Sequence, residues 1–244
     1  YWRRYYYHVF SRLFYGYVRI FQSLIFFTMK KVLSVPFIPG LKDQPLEKAC
    51  ELLEEKAARQ SVECVNWPEQ FPYKPITIFD IARSETALYI KYFVRGNCLL
   101  ALNSEDNSPV WQDSCVEFFV QVPGETEYYN FEFNCIGTAL ASKRQSREIC
   151  THFSPEKMAC IERYASAGHK PFQEMQGIFA WELLVSIPFD LIGVNPESLP
   201  EKLYANFYKC ADNSSLPHYL SWSPIETENP DFHRPEFFGE IYFR

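Results

Sequence analysis

Glycine is scarce in this sequence, at 9 of 244 residues, while phenylalanine, tyrosine and tryptophan together make up 18%. This composition excludes a low-complexity polymer and indicates a large aromatic core. No internal repeat is present, and no linker follows residue 60. We therefore expect one domain, although the length alone also permits two small ones.

Signatures of the common enzyme classes are missing. The sequence has no G-x-S-x-G, no phosphate-binding loop and no dinucleotide-binding fingerprint. Zinc is not expected, because His152, His169 and His218 are scattered and neither H-x-x-x-H nor C-x-x-C occurs. These absences favour a binding protein over an enzyme, and we predict no cofactor.

Basic residues are outnumbered by acidic ones, giving a formal net charge of −6. Four of the 24 basic residues fall in residues 1–28, which contain no acidic residue. The rest of the chain therefore has 20 basic and 30 acidic residues, a net charge of −10. An acidic domain repels polyanions, so nucleic acid is not an expected partner.

The eight cysteines do not follow a disulfide or metal spacing. Three of them, Cys115, Cys135 and Cys210, fall within apparent strands. Buried free thiols are the preferred interpretation, and they suit a reducing compartment. We therefore expect a cytoplasmic protein, with the periplasm as the alternative.

Residues 1–28 contain twelve aromatic residues and precede Met29. They form a poor membrane span because Arg19 interrupts them, and a small-residue cleavage site is missing. We interpret them as upstream sequence before a start at Met29. An interfacial basic and aromatic anchor is the alternative. No membrane contact is expected after Met29.

Residues 29–60 are predicted as an N-terminal extension with one amphipathic helix. Asp43 and Pro45 open the helix. Its apolar stripe recurs at three and four residues, and consists of Leu46, Ala49, Cys50, Leu53 and Ala57.

Residues 61–244 are predicted as an all-β, antiparallel sandwich. Short runs rich in β-branched and aromatic residues alternate with turn signals, without a βαβ rhythm. Hairpin turns are expected at 84–86 and 136–137. The predicted strands are Ser61–Val65, Ile76–Ala82, Ala87–Val94, Cys98–Leu102, Cys115–Val122, Tyr128–Cys135, Thr138–Ser142, Ala159–Ser166, Ile178–Ile187, Lys202–Cys210, Tyr219–Trp222 and Gly239–Phe243.

The most informative stretch is the predicted hairpin within 111–134. Its second strand alternates, so that Tyr129, Phe131 and Phe133 share one face, and an amide and carboxylate row lies on the other: Asn130, Glu132 and Asn134. On the first strand Glu117 points the same way as this row, and Trp111 is expected at its rim. Amides, carboxylates and an indole suit a sugar, whose C–H groups stack and whose hydroxyls need donors and acceptors. The alternative is the solvated face of an antiparallel sheet.

Five segments resemble the family 9 carbohydrate-binding modules: P-V-W-Q-D-S-C-V-E-F-F (109–119), Y-Y-N-F-E-F-N (128–134), W-E-L-L-V-S-I-P-F (181–189), H-Y-L-S-W-S-P (218–224) and F-H-R-P-E-F-F-G (232–239). More narrowly, they resemble the stand-alone family 9-like proteins of gut Bacteroidetes. The resemblance spans about Trp67 to Arg244. It implies a β-sandwich of the jelly-roll or immunoglobulin-like kind within the wider DOMON-like group.

The resemblance also implies a site in which two aromatic residues sandwich a terminal sugar ring. Trp111 and Trp222 match those aromatic positions, and Glu117 matches the acid that binds sugar hydroxyls. Asn130, Glu132 and Asn134 lie within the matching Y-Y-N-F-E-F-N segment. From the residues themselves we add Arg144, next to Arg147, and His233 as candidate contacts. Trp67 and Trp181 are expected in the core.

Three further possibilities stay open. The loop 103–113 is rich in oxygen donors that suit calcium, although it lacks an EF-hand spacing. A glycoside hydrolase-like activity in carbohydrate catabolism would use Glu117 and Glu132 as its two carboxylates. The third is haem binding, because the DOMON-like group includes cytochrome domains with Met and His axial ligands. Met29, Met158 and Met175, the methionines of this sequence, lie in no matching motif. The expected partner is a mono- or oligosaccharide; the sugar and the oligomeric state are not predicted.

Overall fold

The structure, a computed structural model, describes residues 30–243. The predictions made for residues 1–28 and Met29 lie outside this range. The described elements follow in chain order: β1 (Val32–Val35), α1 (Leu46–Lys56), β2 (Ala58–Ser61), β3 (Cys64–Val65), β4 (Ile76–Arg83), β5 (Ala87–Ala101), β6 (Cys115–Gln121), β7 (Tyr128–Asn134), β8 (Ala139–Arg144), β9 (Cys150–His152), α2 (Pro155–Ala159), β10 (Glu162–Ala165), β11 (Phe172–Pro188), β12 (Lys202–Cys210), β13 (Tyr219–Ser221) and β14 (Gly239–Phe243).

These strands form two sheets, which confirms the predicted all-β sandwich. The larger sheet has the order β1-β14-β12-β6-β7-β8-β9, with β13 on β12 and β3 on β13. The smaller sheet has the order β10-β11-β5-β4-β2. Pairing between these strands is antiparallel except for β1, which lies parallel to β14.

The main core fills the space between the sheets. From the larger sheet, the inward faces of β6 and β7 supply Val116, Phe118, Phe131 and Phe133, as their alternation predicts. Phe207 of β12 stacks on Phe79 of β4 with ring centroids 3.9 Å apart. Trp181 also packs here, and Trp67 is buried in a separate cluster, so both core predictions are confirmed.

The predicted helix is confirmed as α1. Its buried residues Ala49 and Leu53 pack on the outer face of the smaller sheet, against Ala82, Tyr89 and Leu184. The segment 29–60 contributes more than this helix, because β1 pairs with β14 and β2 pairs with β4. From Val32 onward it is therefore built into both sheets.

Several predicted boundaries were wrong. The predicted break at residues 95–97 is absent, and β5 runs unbroken from Ala87 to Ala101. The strand expected at Ala159–Ser166 is preceded by α2, because Ser154 caps that helix by accepting from the Lys157 N–H and Pro155 occupies its first turn. The predicted turns at 84–86 and 136–137 are confirmed.

None of the eight cysteines is disulfide-bonded; Cys160 is exposed, and Cys50, Cys64 and Cys150 are half-buried.

Within residues 30–243, no helix has the length and apolar character needed to cross a membrane.

Candidate functional site

The predicted polar row lies where expected but is not solvated. Glu117 and Glu132 are direct cross-strand neighbours in the β6–β7 pairing, as predicted. Their exposed fractions are only 3% and 4%, and Asn130 and Asn134 are fully buried. The alternative of a solvated sheet face was therefore wrong.

A second aromatic layer covers this outer face of the larger sheet. It comprises Trp67, Val110, Cys115, Phe119, Tyr128, Leu140, Tyr208, Cys210, Ile225, Phe232 and Phe238. The segment 224–238 carries three of these residues. It is held by the Trp67 indole N–H, which donates to the Thr227 carbonyl at 2.8 Å, and by the Tyr208 hydroxyl, which donates to the Phe232 carbonyl at 3.1 Å.

One pocket of about 230 Å³ remains between the sheet and this cover. Its floor comes from β6, β7 and β12, and its walls from the turn after β8, from β13 and from the segment 230–233. The lining residues are Trp111, Glu117, Glu132, Arg144, Arg147, Cys210, Asp212, Tyr219, Pro230, Asp231, Phe232 and His233.

Two buried acids lie side by side on the floor. Burial, reinforced by Cys210 and Glu132, raises the pKa of Glu117 well above its usual range. Burial also raises the pKa of Glu132 to about 7, although the Asn130 amide and the nearby Arg144 oppose this rise. Asn130 Nδ2 donates to Glu132 Oε1 at 2.8 Å. Among the described residues, Glu132 Oε2 has no hydrogen-bond partner although it is buried.

Two arginines form one wall. Arg144 donates from Nε to Asn130 Oδ1 and from Nη1 to the Arg147 carbonyl, both at 2.7 Å. Arg147 Nη1 lies 3.7 Å from Asp231 Oδ1. Asn130 therefore lies behind the pocket, where it links Arg144 to Glu132 and fixes both side chains.

Trp111 lies at the rim of the pocket, with 36% of its surface exposed. It sits on a 3-10 turn, Val110–Gln112, whose Val110 is buried. The Asp212 N–H donates to the Trp111 carbonyl at 3.2 Å, which joins this turn to the end of β12.

The prediction that Trp222 is the second aromatic plate was wrong. Its side chain is fully buried in the main core, edge-on to Phe79 and Phe207. Its indole N–H donates to Gln60 Oε1 at 3.1 Å. Gly239 allows the ring to fit, since a Cβ there would lie 2.5 Å from it. Trp222 therefore has no surface for a ligand.

Tyr219 and Phe232 are the aromatic residues that line the pocket together with Trp111. Phe232 stacks on Tyr208 with centroids 4.2 Å apart. The Tyr219 hydroxyl bonds to Asp212, whose pKa is raised by burial to about 6 despite that bond. Sequence reasoning missed Tyr219, Asp212 and Asp231.

Asn134 was also wrongly placed in the site. Its amide donates to Asp113 Oδ2 at 2.9 Å and to the Asn103 carbonyl at 2.7 Å. It braces the loop 103–113 and does not line the pocket.

His233 lines the pocket as an uncharged ring. Burial, followed by the charges of Arg144 and Arg147, lowers its pKa to about 3. Its Nδ1 lies 3.0 Å from the Tyr128 hydroxyl, and the ring packs on Phe119.

Two acids of the loop 103–113 are engaged in hydrogen bonds within the protein. The two oxygens of Asp113 accept from the backbone N–H groups of Leu102 and Asn103 and from the amides of Asn103 and Asn134. Asp106 accepts from Arg163 and from the Ala139 N–H. These hydrogen bonds join the loop to the neighbouring strands, and calcium binding there stays a prediction.

The fold and the pocket define a β-sandwich with a buried polar site and an aromatic rim. Residues 47–243 match the model of carbohydrate-binding family 9. The chain therefore belongs to carbohydrate-binding family 9.

Solved structures agree with this assignment. A protein from Bacteroides uniformis ATCC 8492, named for an inferred carbohydrate-binding role, is 37% identical with a TM-score of 0.83, over 88% of this chain and 100% of that one. A family 9 module from Caldicellulosiruptor kristjanssonii, solved with glucose, is 13% identical with a TM-score of 0.51, over 88% and 96%, and shows the fold alone. None of the curated proteins matches the chain.

Proposed function

We propose that this pocket binds one terminal sugar ring of a mono- or oligosaccharide without catalysis. The observation that carries the proposal is that the partly exposed Trp111 indole borders a pocket containing Glu132 Oε2. This oxygen is buried and has no hydrogen-bond partner within residues 30–243. The indole face can stack on the C–H groups of a pyranose, and the unpaired carboxylate oxygen can accept from one of its hydroxyls.

The polar lining offers both kinds of hydrogen-bonding group. Glu132 and Asp231 supply acceptors for sugar hydroxyls, and the guanidinium groups of Arg144 and Arg147 supply donors for sugar oxygens. Asn130 holds Glu132 and Arg144 in place before a ligand arrives, which reduces the ordering cost of binding.

The size of the pocket favours a single ring. Its volume of about 230 Å³ lies below the roughly 300–1,000 Å³ of sites for drug-sized ligands. A longer oligosaccharide would extend past Trp111 into solvent. Glucose is the first ligand to test, because the Caldicellulosiruptor module was solved with it.

Calorimetric titration against gluco-, xylo- and manno-oligosaccharides and their monosaccharides tests this proposal. We expect heat from at least one sugar and its loss in Trp111→Ala. Phe37→Ala is the matched control, because Phe37 is exposed to 38%, close to the 36% of Trp111, and lies outside the pocket. The control should bind like the wild type. Absence of heat from every sugar, with folded protein, contradicts the proposal.

A parallel assay separates binding from hydrolysis. The protein is incubated with aryl glycosides and with the oligosaccharide that binds best, and released reducing sugar is measured. We expect none. Turnover that stops in Glu117→Gln would instead assign the two floor acids to a glycosidase.

A further inference from the structure

Two cysteines and a glutamate share the floor of the pocket. Cys115 and Glu117 lie two residues apart on β6 and therefore point to the same face. Cys210 of β12 pairs directly with Cys115. The two thiol sulfurs and a carboxylate oxygen of Glu117 all lie within 4.8 Å of one another.

These three side chains are almost completely buried, with exposed fractions of 0%, 3% and 1% for Cys115, Glu117 and Cys210. Cys210 Sγ donates to Glu117 Oε1 at 3.0 Å, and the two thiols also bond to each other. Among the described residues, no lysine or arginine forms an ion pair with Glu117. A metal ion at this position would replace the protons of these three buried groups and pair with the negative charges that they then carry.

The cluster lies beside a further buried acid and is open to the pocket. Glu132, the cross-strand neighbour of Glu117, keeps Oε2 buried and without a partner among the described residues. Cys210 and Glu117 both line the pocket, so an ion can reach the cluster from that side. Lys209 does not block it, because it alternates with Cys210 along β12 and therefore points to the opposite face.

We propose that Cys115, Glu117 and Cys210 bind a zinc ion whose fourth coordination position faces the sugar pocket. Two sulfurs and one oxygen are a zinc donor set, and soft thiolates disfavour calcium and magnesium. Tetrahedral bonds of about 2.0–2.3 Å require donors roughly 3.5–4 Å apart, so the side chains need only small rotations.

Binding replaces protons with the metal charge. The S–H bonds of the two thiols and the O–H bond of Glu117 break as the Zn–S and Zn–O bonds form, and the three protons leave to solvent through the pocket. The loaded centre then carries a charge of −1, from Zn²⁺, two thiolates and one carboxylate. A water molecule or a sugar hydroxyl would complete the fourth position. The proposal is independent of sugar binding, although the metal would lie on the floor of the pocket proposed for the sugar.

Cobalt titration tests the site, with the full chain reduced and stripped by a chelator. We expect one Co²⁺ per chain, a sulfur-to-cobalt charge-transfer band, and displacement by equimolar Zn²⁺. Cys115→Ser and Cys210→Ser should each weaken binding at least tenfold and reduce the band. Cys135→Ser, a fully buried cysteine of the main core, is the matched control and should behave as the wild type.

X-ray absorption of the zinc-loaded wild type gives a test that does not depend on the variants folding. Two sulfur neighbours at about 2.3 Å and oxygen neighbours are expected. A zinc shell of oxygen and nitrogen alone, absence of a stoichiometric cobalt band, or an unchanged band in both serine variants would overturn the proposal. All readings are taken without sugar, so a failure here is distinct from a failure of sugar binding.

Discussion

At the residue scale, Glu132 should contribute most to binding among the polar side chains of the proposed sugar site. Its Oε2, which has no hydrogen-bond partner among the described residues, is expected to accept a hydrogen bond from a sugar hydroxyl. Glu132→Gln should therefore cost about 1–2 kcal/mol, or about 5–30-fold in affinity, in a calorimetric titration. Glu85→Gln, in the exposed turn between β4 and β5, is the control. Wild-type affinity in Glu132→Gln would contradict this role.

Truncation of Trp222 should mainly lower the stability of the fold, whereas truncation of Trp111 should mainly lower sugar binding. Trp222→Ala removes a fully buried indole from the core and should cost about 3–5 kcal/mol in the free energy of unfolding. Trp111→Ala removes a rim side chain and should cost less than about 1 kcal/mol while abolishing sugar binding. Denaturant unfolding of both variants measures the difference, and equal losses of stability would refute the assignment.

The alternation of residues predicted some site positions and could have predicted others. It placed Glu117 beside Glu132, as the β6–β7 register confirms. The same rule applied to the Tyr219–Trp222 strand puts Trp222 on the face of Leu220 and Tyr219 on the other. Leu220 and Trp222 are both in the main core, so this signal was present but unused.

At the element scale, the loop 103–113 is tied to two strands by one carboxylate. Asp106 accepts hydrogen bonds from the Arg163 side chain in β10 and from the backbone N–H of Ala139 in β8. Burial opposes its ionisation, but these bonds outweigh it and hold its pKa below the usual range.

A carboxylate whose pKa is depressed in the folded state stabilises that state only while the carboxylate is ionised. Asp106→Asn should therefore cost about 1 kcal/mol at pH 7, a modest value because the pair is partly exposed. The cost should shrink as the pH falls below about 4, the unfolded pKa, and through the lower folded pKa. Unfolding at pH 7 and pH 3 measures it, with Glu105→Gln as control; a cost that does not change with pH would contradict the account.

Elements with strong periodicity were predictable and weakly patterned ones were not. The α1 stripe and the β6–β7 hairpin follow directly from their spacing. The four-residue β1 and β2 are too short to show a period, and their pairing with β14 and β4 depends on distant partners. The three-residue β9 was missed for the same reason.

At the scale of the whole molecule, the pocket exists because a C-terminal segment folds over one sheet. The floor comes from residues 115–134 and 210, and the cover from residues 224–238. Sequence patterns report neighbours along a strand, but they do not report which distant loop covers a sheet face. This is why Glu117 and Glu132 were predicted from their strands while Asp231, which lies in the cover, was missed.

The crystal structure of the protein soaked with glucose, or with the sugar that binds best in the titration, would show directly whether a sugar occupies this pocket. We predict one sugar ring in the pocket, in contact with the Trp111 indole, and a ring hydroxyl within about 3.2 Å of Glu132 Oε2. A sugar bound elsewhere on the sandwich, or an empty pocket at saturating sugar, would contradict the account.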